Sequence, residues 1–251
     1  MNCNADDIAD LVLAYKILVN EGVLDSFGHI SIRSKAEPDR FLMPRAMPPS
    51  LVDADDILQF SVDTSQPIEP RGRRVNGERY LHGEIYKVRP DVGAIVHSHS
   101  QACIPFSITS IPLRPVIVQA GFLPLRVPNF EIRGVRGNSR GMQITDSIRG
   151  AALAKTLGDN AVALLRGHGN VVVGSSVKQA TVFAAYTDIN ARMQAQGMQL
   201  DDNIVAMDEP ELFGPAEFDI NRPWENFRQK MLADSARAAI DRKQFGLDHT
   251  Q

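Results

Sequence analysis

Three of the six histidines in this sequence have the type and spacing that chemistry at a metal would need. His97 and His99 stand two apart in Ala94-Ile95-Val96-His97-Ser98-His99, and His168 sits between two glycines in Arg166-Gly167-His168-Gly169. Side chains two apart on a strand project to the same face, so the first two imidazoles can converge on one ion from a rigid platform. A third imidazole at the end of another apolar strand completes a three-nitrogen site with open positions for a substrate, provided Gly167 and Gly169 let the backbones approach closely. Taken alone, His-x-His is a short pattern, and it equally describes polar strand-end residues satisfied by hydrogen bonds.

Glu78 starts the helical segment that feeds into the His97 strand, where a carboxylate can ligate an ion or move a proton. The alternative is an anion that simply suits the positive end of a helix dipole. His82, one turn later, either orients Glu78 or contacts substrate, or is a core histidine with a satisfied ring. Arg45 and the run Arg71-Gly72-Arg73-Arg74 offer guanidinium groups that clamp carboxylates by paired hydrogen bonds, or else form a solvated basic loop. The glycine-bearing stretches Gly134–Gly141 and Gly167–Gly174 match neither GxGxxG between a strand and a helix nor GxxxxGK[ST], so they read as turns rather than phosphate cradles. A Gly-x-Ser-x-Gly nucleophile elbow is missing around Ser98 and Ser100, and Cys3 and Cys103 lack CxxC spacing and read as ordinary reduced thiols.

These groups must be held by a frame, and apolar periodicity outlines it. Ile8, Leu11, Val12, Tyr15 and Leu18 predict a helix over Asp6–Glu21, with Asn4 as N-cap and Gly22 as its stop. Period-two alternation predicts a strand over Ser26–Arg33, which puts His29 on one face with Ser31. Short strands follow at Phe41–Met43 and Ile57–Ser61, separated by a stiff Pro-rich turn from Met43 to Pro49. Glu78–Val88 is predicted helical and closed by Pro90, with Leu81, Ile85 and Val88 on one stripe and Glu78 and His82 on its neighbour. A strand over Val92–His99, a helix over Thr145–Leu157, strands at Ala161–Leu165 and Val171–Val173, and an Ala-rich helix from about Val177 to Gln196 complete the pattern. Such interleaving predicts a three-layer α/β/α domain around a mixed, largely antiparallel sheet. Residues 1–210 are expected to form this domain. Residues 211–251 are expected to be a helical extension, with Trp224, Phe227, Met231 and Leu232 on an amphipathic helix from about Arg222 to Phe245.

The 251 residues carry a formal net charge of -3, which gives no basic footprint for nucleic acid or an anionic membrane. No apolar run approaches the ~20 residues that cross a bilayer, and the N-terminus lacks the basic start and apolar stretch of a signal peptide. A cytoplasmic protein acting on a small molecule is the expectation.

Together the motifs resemble the class II aldolase/adducin family from about Asp6 to Gln196. The resemblance is carried by Ser26-Phe27-Gly28-His29-Ile30-Ser31, by Glu78 with His82 four residues on, by Arg89-Pro90-Asp91-Val92, by His97-x-His99 and by Gly167-His168-Gly169. Glu78 precedes His97 by 19 residues, as expected for that family's acidic residue. The resemblance implies a class II aldolase-like fold in which His97, His99 and His168 hold a divalent ion. Zinc, manganese, cobalt and iron all suit three nitrogens and a carboxylate. It further implies Glu78 as ligand or acid/base, a ring-shaped homotetramer, and active sites at subunit interfaces.

Departures from the sugar-phosphate aldolases point to a different substrate. His29 replaces an Asn, Met43-Pro44-Arg45-Ala46 replaces a Thr-Pro-Ser-Gly-like turn, and Asn76-Gly77 replaces a Ser-Ser pair. Small phosphate-binding donors are lost and an Arg is gained, which favours a carboxylate. These features are similar to the family's decarboxylase branch, whose members act on hydroxylated pyridine or benzene dicarboxylates and hydroxy-carboxymuconate semialdehydes. Retro-aldol cleavage and decarboxylation both break a carbon–carbon bond heterolytically and leave an enolate or phenolate to be stabilised beside the metal. The expected activity is therefore decarboxylation of a hydroxylated aromatic or related unsaturated acid, with Glu78 and His82 handling protons and His29, Ser31, Arg45 and Asn76 binding substrate. The alternatives are a class II aldolase for an unphosphorylated hydroxy-carbonyl compound and a non-catalytic adducin-like module.

Overall fold

Alternation along the strands decides which groups reach which face of the sheet. On β1 (His29–Arg33), Ile30 and Ile32 enter one apolar core, whereas His29 and Ser31 project to the other side. β5 (Ala94–Ser98) does the same with Ala94 and Val96 on one face and Ile95 and His97 on the other. The computed structural model describes residues 5–137, 140–201 and 203–244, with side chains up to 239. The expected N-cap Asn4 and the terminal Phe245 lie outside the described residues, as do Asn138 and Ser139 of the glycine-bearing stretch.

The remaining strands are β2 (Arg40–Pro44), β3 (Ile57–Ser61), β4 (Pro67–Ile68), β6 (Asn129–Phe130), β7 (Val162–Leu165) and β8 (Gly169–Gly174). They form an eight-stranded sheet in the order β4-β3-β2-β1-β5-β8-β7-β6. Only the β6–β7 pair is parallel among the described residues, so the sheet is mixed and largely antiparallel, as expected.

On one face lie α1 (Ala5–Asn20), α5 (Val177–Leu200) and α6 (Asn221–Gln244), whose buried side chains share a core with Ile30, Val96 and Val172. The opposite face carries α2 (Arg79–Val88) and α4 (Ser147–Leu157), with Leu81, Ile85 and Leu153 packed on Phe41, Ile95 and Val171. Each such side chain taken fully out of water stabilises the fold by about 1.5–3 kcal/mol before the opposing entropy. Gly22 ends α1 in the left-handed region at φ 72°, as its position predicts.

Two differences from the sequence reading bear on the site. β5 ends at Ser98, so His99 lies just beyond the strand rather than on it. Glu78 immediately precedes α2 at φ -90°, which frees its side chain from the helix surface. The five-residue α3 (Ile104–Ile108) and the two-residue β6 were not anticipated, because segments that short carry no periodicity. In α6, Trp224, Phe227 and Met231 are buried against α1 and α5, while Leu232 is 45% exposed and faces away. No helix among the described residues is long and apolar enough to cross a membrane.

Candidate metal centre

The sheet's own register brings the histidines together. β5 and β8 pair antiparallel with Ser98 opposite Asn170 and His97 opposite Val171, so the turn that precedes β8 lands beside the end of β5. Gly167 takes φ 62° in that turn. A Cβ on Gly169 would stand 2.1 Å from the Ser98 carbonyl oxygen, so only glycine permits this approach. His168 sits between the two and is thereby delivered to within 4.9 Å, ring centroid to ring centroid, of both His97 and His99. Glu78 completes the group: one ligand-capable atom from each of Glu78, His97, His99 and His168 lies within 4.8 Å of the others. Its Oε2 is 3.6 Å from His168 Nε2 and 3.9 Å from His97 Nε2.

The donor set fits a divalent cation. His97 Nε2 and His99 Nε2 are buried and have no hydrogen-bond partner among the described residues, a costly arrangement unless something else accepts their lone pairs, and His168 turns its Nε2 toward Glu78 Oε2. His97 Nδ1 lies 3.1 Å from the Asn170 carbonyl oxygen. Donation of its hydrogen there leaves Nε2 as a free lone pair aimed at the cluster, the usual second interaction of a metal-binding histidine. Burial pushes the pKa of His97 well below its ordinary value and lowers that of His99, which favours the neutral imidazoles that ligation requires. Burial alone would raise the Glu78 carboxyl, but the imidazoles of His168, His29 and His97 outweigh it and hold the group below the usual carboxylate range. The Ile144 N–H, donated to Glu78 Oε1 at 2.8 Å, fixes the carboxylate's orientation.

The cluster lies at one side of a cleft of about 650 Å³ whose walls include Glu78, His99, His168, His29 and Asn76. Asn76 Oδ1 accepts the Glu78 N–H at 2.9 Å and so shapes the approach to α2. His29 is held in place from behind: the Tyr15 hydroxyl accepts the Ile30 N–H at 2.6 Å, and His29 Nδ1 lies 2.6 Å from His82 Nε2. His82 and Ser31 are fully buried and do not line the cleft. They contact each other, with Ser31 Oγ 2.6 Å from His82 Nδ1 and 2.9 Å from the Tyr86 hydroxyl.

Arg45, expected to meet a substrate carboxylate, is turned away and bonds Asp56 Oδ1 at 2.7 Å. The neighbouring carboxylate on the turn into β3 captures it. Arg74, from the Arg-rich run, lines the cleft instead and is exposed. Phe27, Gln143 and Thr145 also line it and were not singled out as site residues in the sequence. Phe27 is 66% exposed with its ring 6.0 Å from that of His99, a signal that an apolar residue next to a polar motif can provide. Gln143 and Thr145 are placed by the segment that carries Ile144 to Glu78, and nothing local marks them.

A helix-flanked, largely antiparallel sheet with a carboxylate and three imidazoles gathered at one end is the class of protein that this geometry defines. The model of the Class II Aldolase and Adducin N-terminal domain matches residues 9–195, and the chain belongs to that family. It is 34% identical over 195 residues to Decarboxylase tropJ of Talaromyces stipitatus, covering 73% of each chain. It is 28% identical over 195 residues to the 3,4-dihydroxyphthalate decarboxylase of Arthrobacter keyseri, covering 74% of this chain and 76% of that one. In fold it is similar to the L-fuculose 1-phosphate aldolase from Glaciozyma antarctica, with a TM-score of 0.74 at 21% identity over 92% of this chain and 91% of the other. The named decarboxylases support a lyase of the decarboxylase branch, and the cluster is one that can hold a metal.

Proposed function

We propose that the protein is a divalent-metal-dependent decarboxylase of a hydroxylated aromatic carboxylic acid. The observation that carries this reading is the convergence of Glu78 and His97, both buried, with the half-buried His99 and His168, which leaves His97 Nε2 and His99 Nε2 without hydrogen-bond partners among the described residues beside an open cleft. Support for carboxy-lyase over aldehyde-lyase chemistry comes from the relatives named as decarboxylases, one of them for 3,4-dihydroxyphthalate.

His97, His99 and His168 would hold the ion, with Glu78 beside it. When bound, a divalent cation supplies positive charge against which electrons released by carbon–carbon cleavage are stabilised. The protein supplies the proton inventory and the alignment. Glu78, ionised at the cluster, accepts the proton of a substrate hydroxyl and returns it to the ring carbon that keeps the electron pair when CO2 departs. Burial of His97 and His82 keeps that pair of imidazoles neutral, so neither competes with substrate for Glu78 as a cation. Phe27 offers a ring face to an aromatic substrate, and Arg74 offers a guanidinium to a carboxylate at the rim.

The same reading includes a cytoplasmic homotetramer with the cleft completed at a subunit interface. Ile108, exposed beside the Gly167 turn, is an apolar surface that such a contact would cover. The deciding experiment incubates metal-loaded protein with hydroxylated benzene and pyridine carboxylic acids and follows CO2. Release of CO2 that disappears on chelation is expected. Cleavage of a hydroxy-aldehyde without CO2 release would instead make the protein an aldolase, and a metal content near zero after attempted loading would make it a non-catalytic module.

A further inference from the structure

The Tyr86 hydroxyl is fully buried, and among the described residues its one hydrogen-bond partner is Ser31 Oγ. A buried phenol must place its hydrogen on an acceptor, so Tyr86 donates and Ser31 accepts. Ser31 has a single hydrogen of its own, and its other partner is His82 Nδ1 at 2.6 Å. That nitrogen is therefore an acceptor. His82 is completely buried, and burial drives its pKa well below the ordinary value, so the ring is neutral with its one hydrogen on Nε2. Among the described residues this hydrogen has one acceptor, His29 Nδ1, 2.6 Å away.

We propose that the chain Tyr86→Ser31→His82→His29 has this single polarity, which makes His29 an Nε2–H donor to a substrate carboxylate and keeps it out of the metal's ligand set. His29 Nε2 is buried and lacks a hydrogen-bond partner among the described residues, and His29 belongs to the cleft wall. Glu78 Oε2 is 3.9 Å from it, beyond hydrogen-bond range. An N–H aimed at this position has no lone pair to give a cation, although the His29 ring lies 4.9 Å from that of His97. His97 has the opposite arrangement, its Nδ1 facing the Asn170 carbonyl and its Nε2 left free. Tyr86, Ser31 and His82 are thus positioning residues that act through His29. Only the identity of the acceptor, a carboxylate, rests on the proposed decarboxylation.

The polarity is testable without any substrate. In 15N-edited spectra of ring-labelled protein, with His29 assigned by its loss in His29→Gln, His29 and His82 should each show a protonated Nε2 and an unprotonated Nδ1. A hydrogen on His29 Nδ1 overturns the proposal. Tyr86→Phe keeps the ring against Phe41 and removes only the first donor; a second His29 tautomer should then appear, and an unchanged single tautomer would show that Tyr86 does not set the polarity. His29→Gln should retain the metal content of the unaltered protein, whereas loss of the metal would place His29 among the ligands. Binding of 3,4-dihydroxybenzoate to His29→Gln should weaken about tenfold, with catechol binding unaltered, because only the former carries a carboxylate. Equal weakening of both overturns the carboxylate assignment. Failure of CO2 release alongside the expected spectra would refute the proposed activity and leave the relay standing.

Discussion

His29 and His97 are register partners across β1 and β5, with ring centroids 4.9 Å apart, yet their inner nitrogens meet different neighbours. His97 Nδ1 faces the Asn170 carbonyl oxygen, whereas His29 Nδ1 faces a nitrogen of His82. Two imidazoles that a strand pair treats as equivalent are therefore braced by different partners, and His29 lines the cleft while His97 is buried beneath it. The consequences of that split, and of the frame that produces it, are measurable.

Removing the ligands should separate them from their neighbour. His97→Ala, His99→Ala and His168→Ala are each expected to reduce bound metal and to lower CO2 release more than about 100-fold, since the proposed centre makes each a donor to the ion. Elemental analysis alongside turnover checks this; full metal content in the His168→Ala protein would remove that residue from the site.

The close approach at Gly169 should be intolerant of any side chain. Gly169→Ala places a methyl group against the Ser98 carbonyl, and a loss of at least about 2 kcal/mol is expected together with loss of metal. Gly134→Ala, with open space around the new methyl, should stay within about 0.5 kcal/mol in the same urea titration.

The two arginines should behave differently in steady-state kinetics. Arg74→Ala is expected to raise KM for an aromatic acid by about tenfold, through loss of a charged hydrogen-bond donor at the rim. Arg45→Ala breaks a partly exposed pair with Asp56 and should cost less than about 1 kcal/mol of stability with KM unaltered. The reverse pattern would return Arg45 to the substrate.

Stability in chelator should fall on acidification through about pH 6.5. Burial depresses the pKa of His82 in the folded protein below its ordinary 6.5, so below that pH the unfolded chain binds the extra proton and gains. The contribution is complete above pH 6.5 and is lost as pH falls, at about 1.4 kcal/mol per pH unit for one such group. Urea midpoints at pH 7.5 and 5.5 measure this, and His82→Gln should make the dependence shallower while the share from His97 and His99, lowered in the same direction, remains.

The C-terminal helix should matter to the core through one side only. Trp224→Ala is expected to cost about 3–5 kcal/mol because the indole is buried against α1 and α5, and Leu232→Ala on the exposed side less than about 0.5 kcal/mol. Thermal denaturation of the two variants distinguishes them.

Much of this frame was legible in the sequence because long elements repeat their pattern. Ile57–Ser61 appears as a strand with the expected ends, and the helices around Leu11, Ile85 and Leu153 follow from apolar spacing. The cluster was legible for a similar reason, since His97 lies on a strand and the glycines beside His168 announce a close approach. What escaped depended on partners distant in sequence. Arg45 is decided by Asp56 and Glu78 is oriented by Ile144, neither of which periodicity can foresee. Ser31 and His82 were expected at the substrate but are sealed behind His29, because whether a polar residue on the inner face meets a cleft or another side chain depends on what α2 lays over it.

The cleft has two parts of unequal rigidity. Its imidazole floor is anchored where β5 meets β8, with Gly169 pressed on Ser98, so His97 is fixed by strand pairing and His99 and His168, each one residue beyond a paired strand end, are tethered to it. Its rim, at Phe27, Met47, Arg74 and Gln143, belongs to connecting segments that pair with no strand. Exchange of rim residues can therefore redirect the scaffold from one acid or sugar to another while the bond-breaking apparatus beneath stays in place.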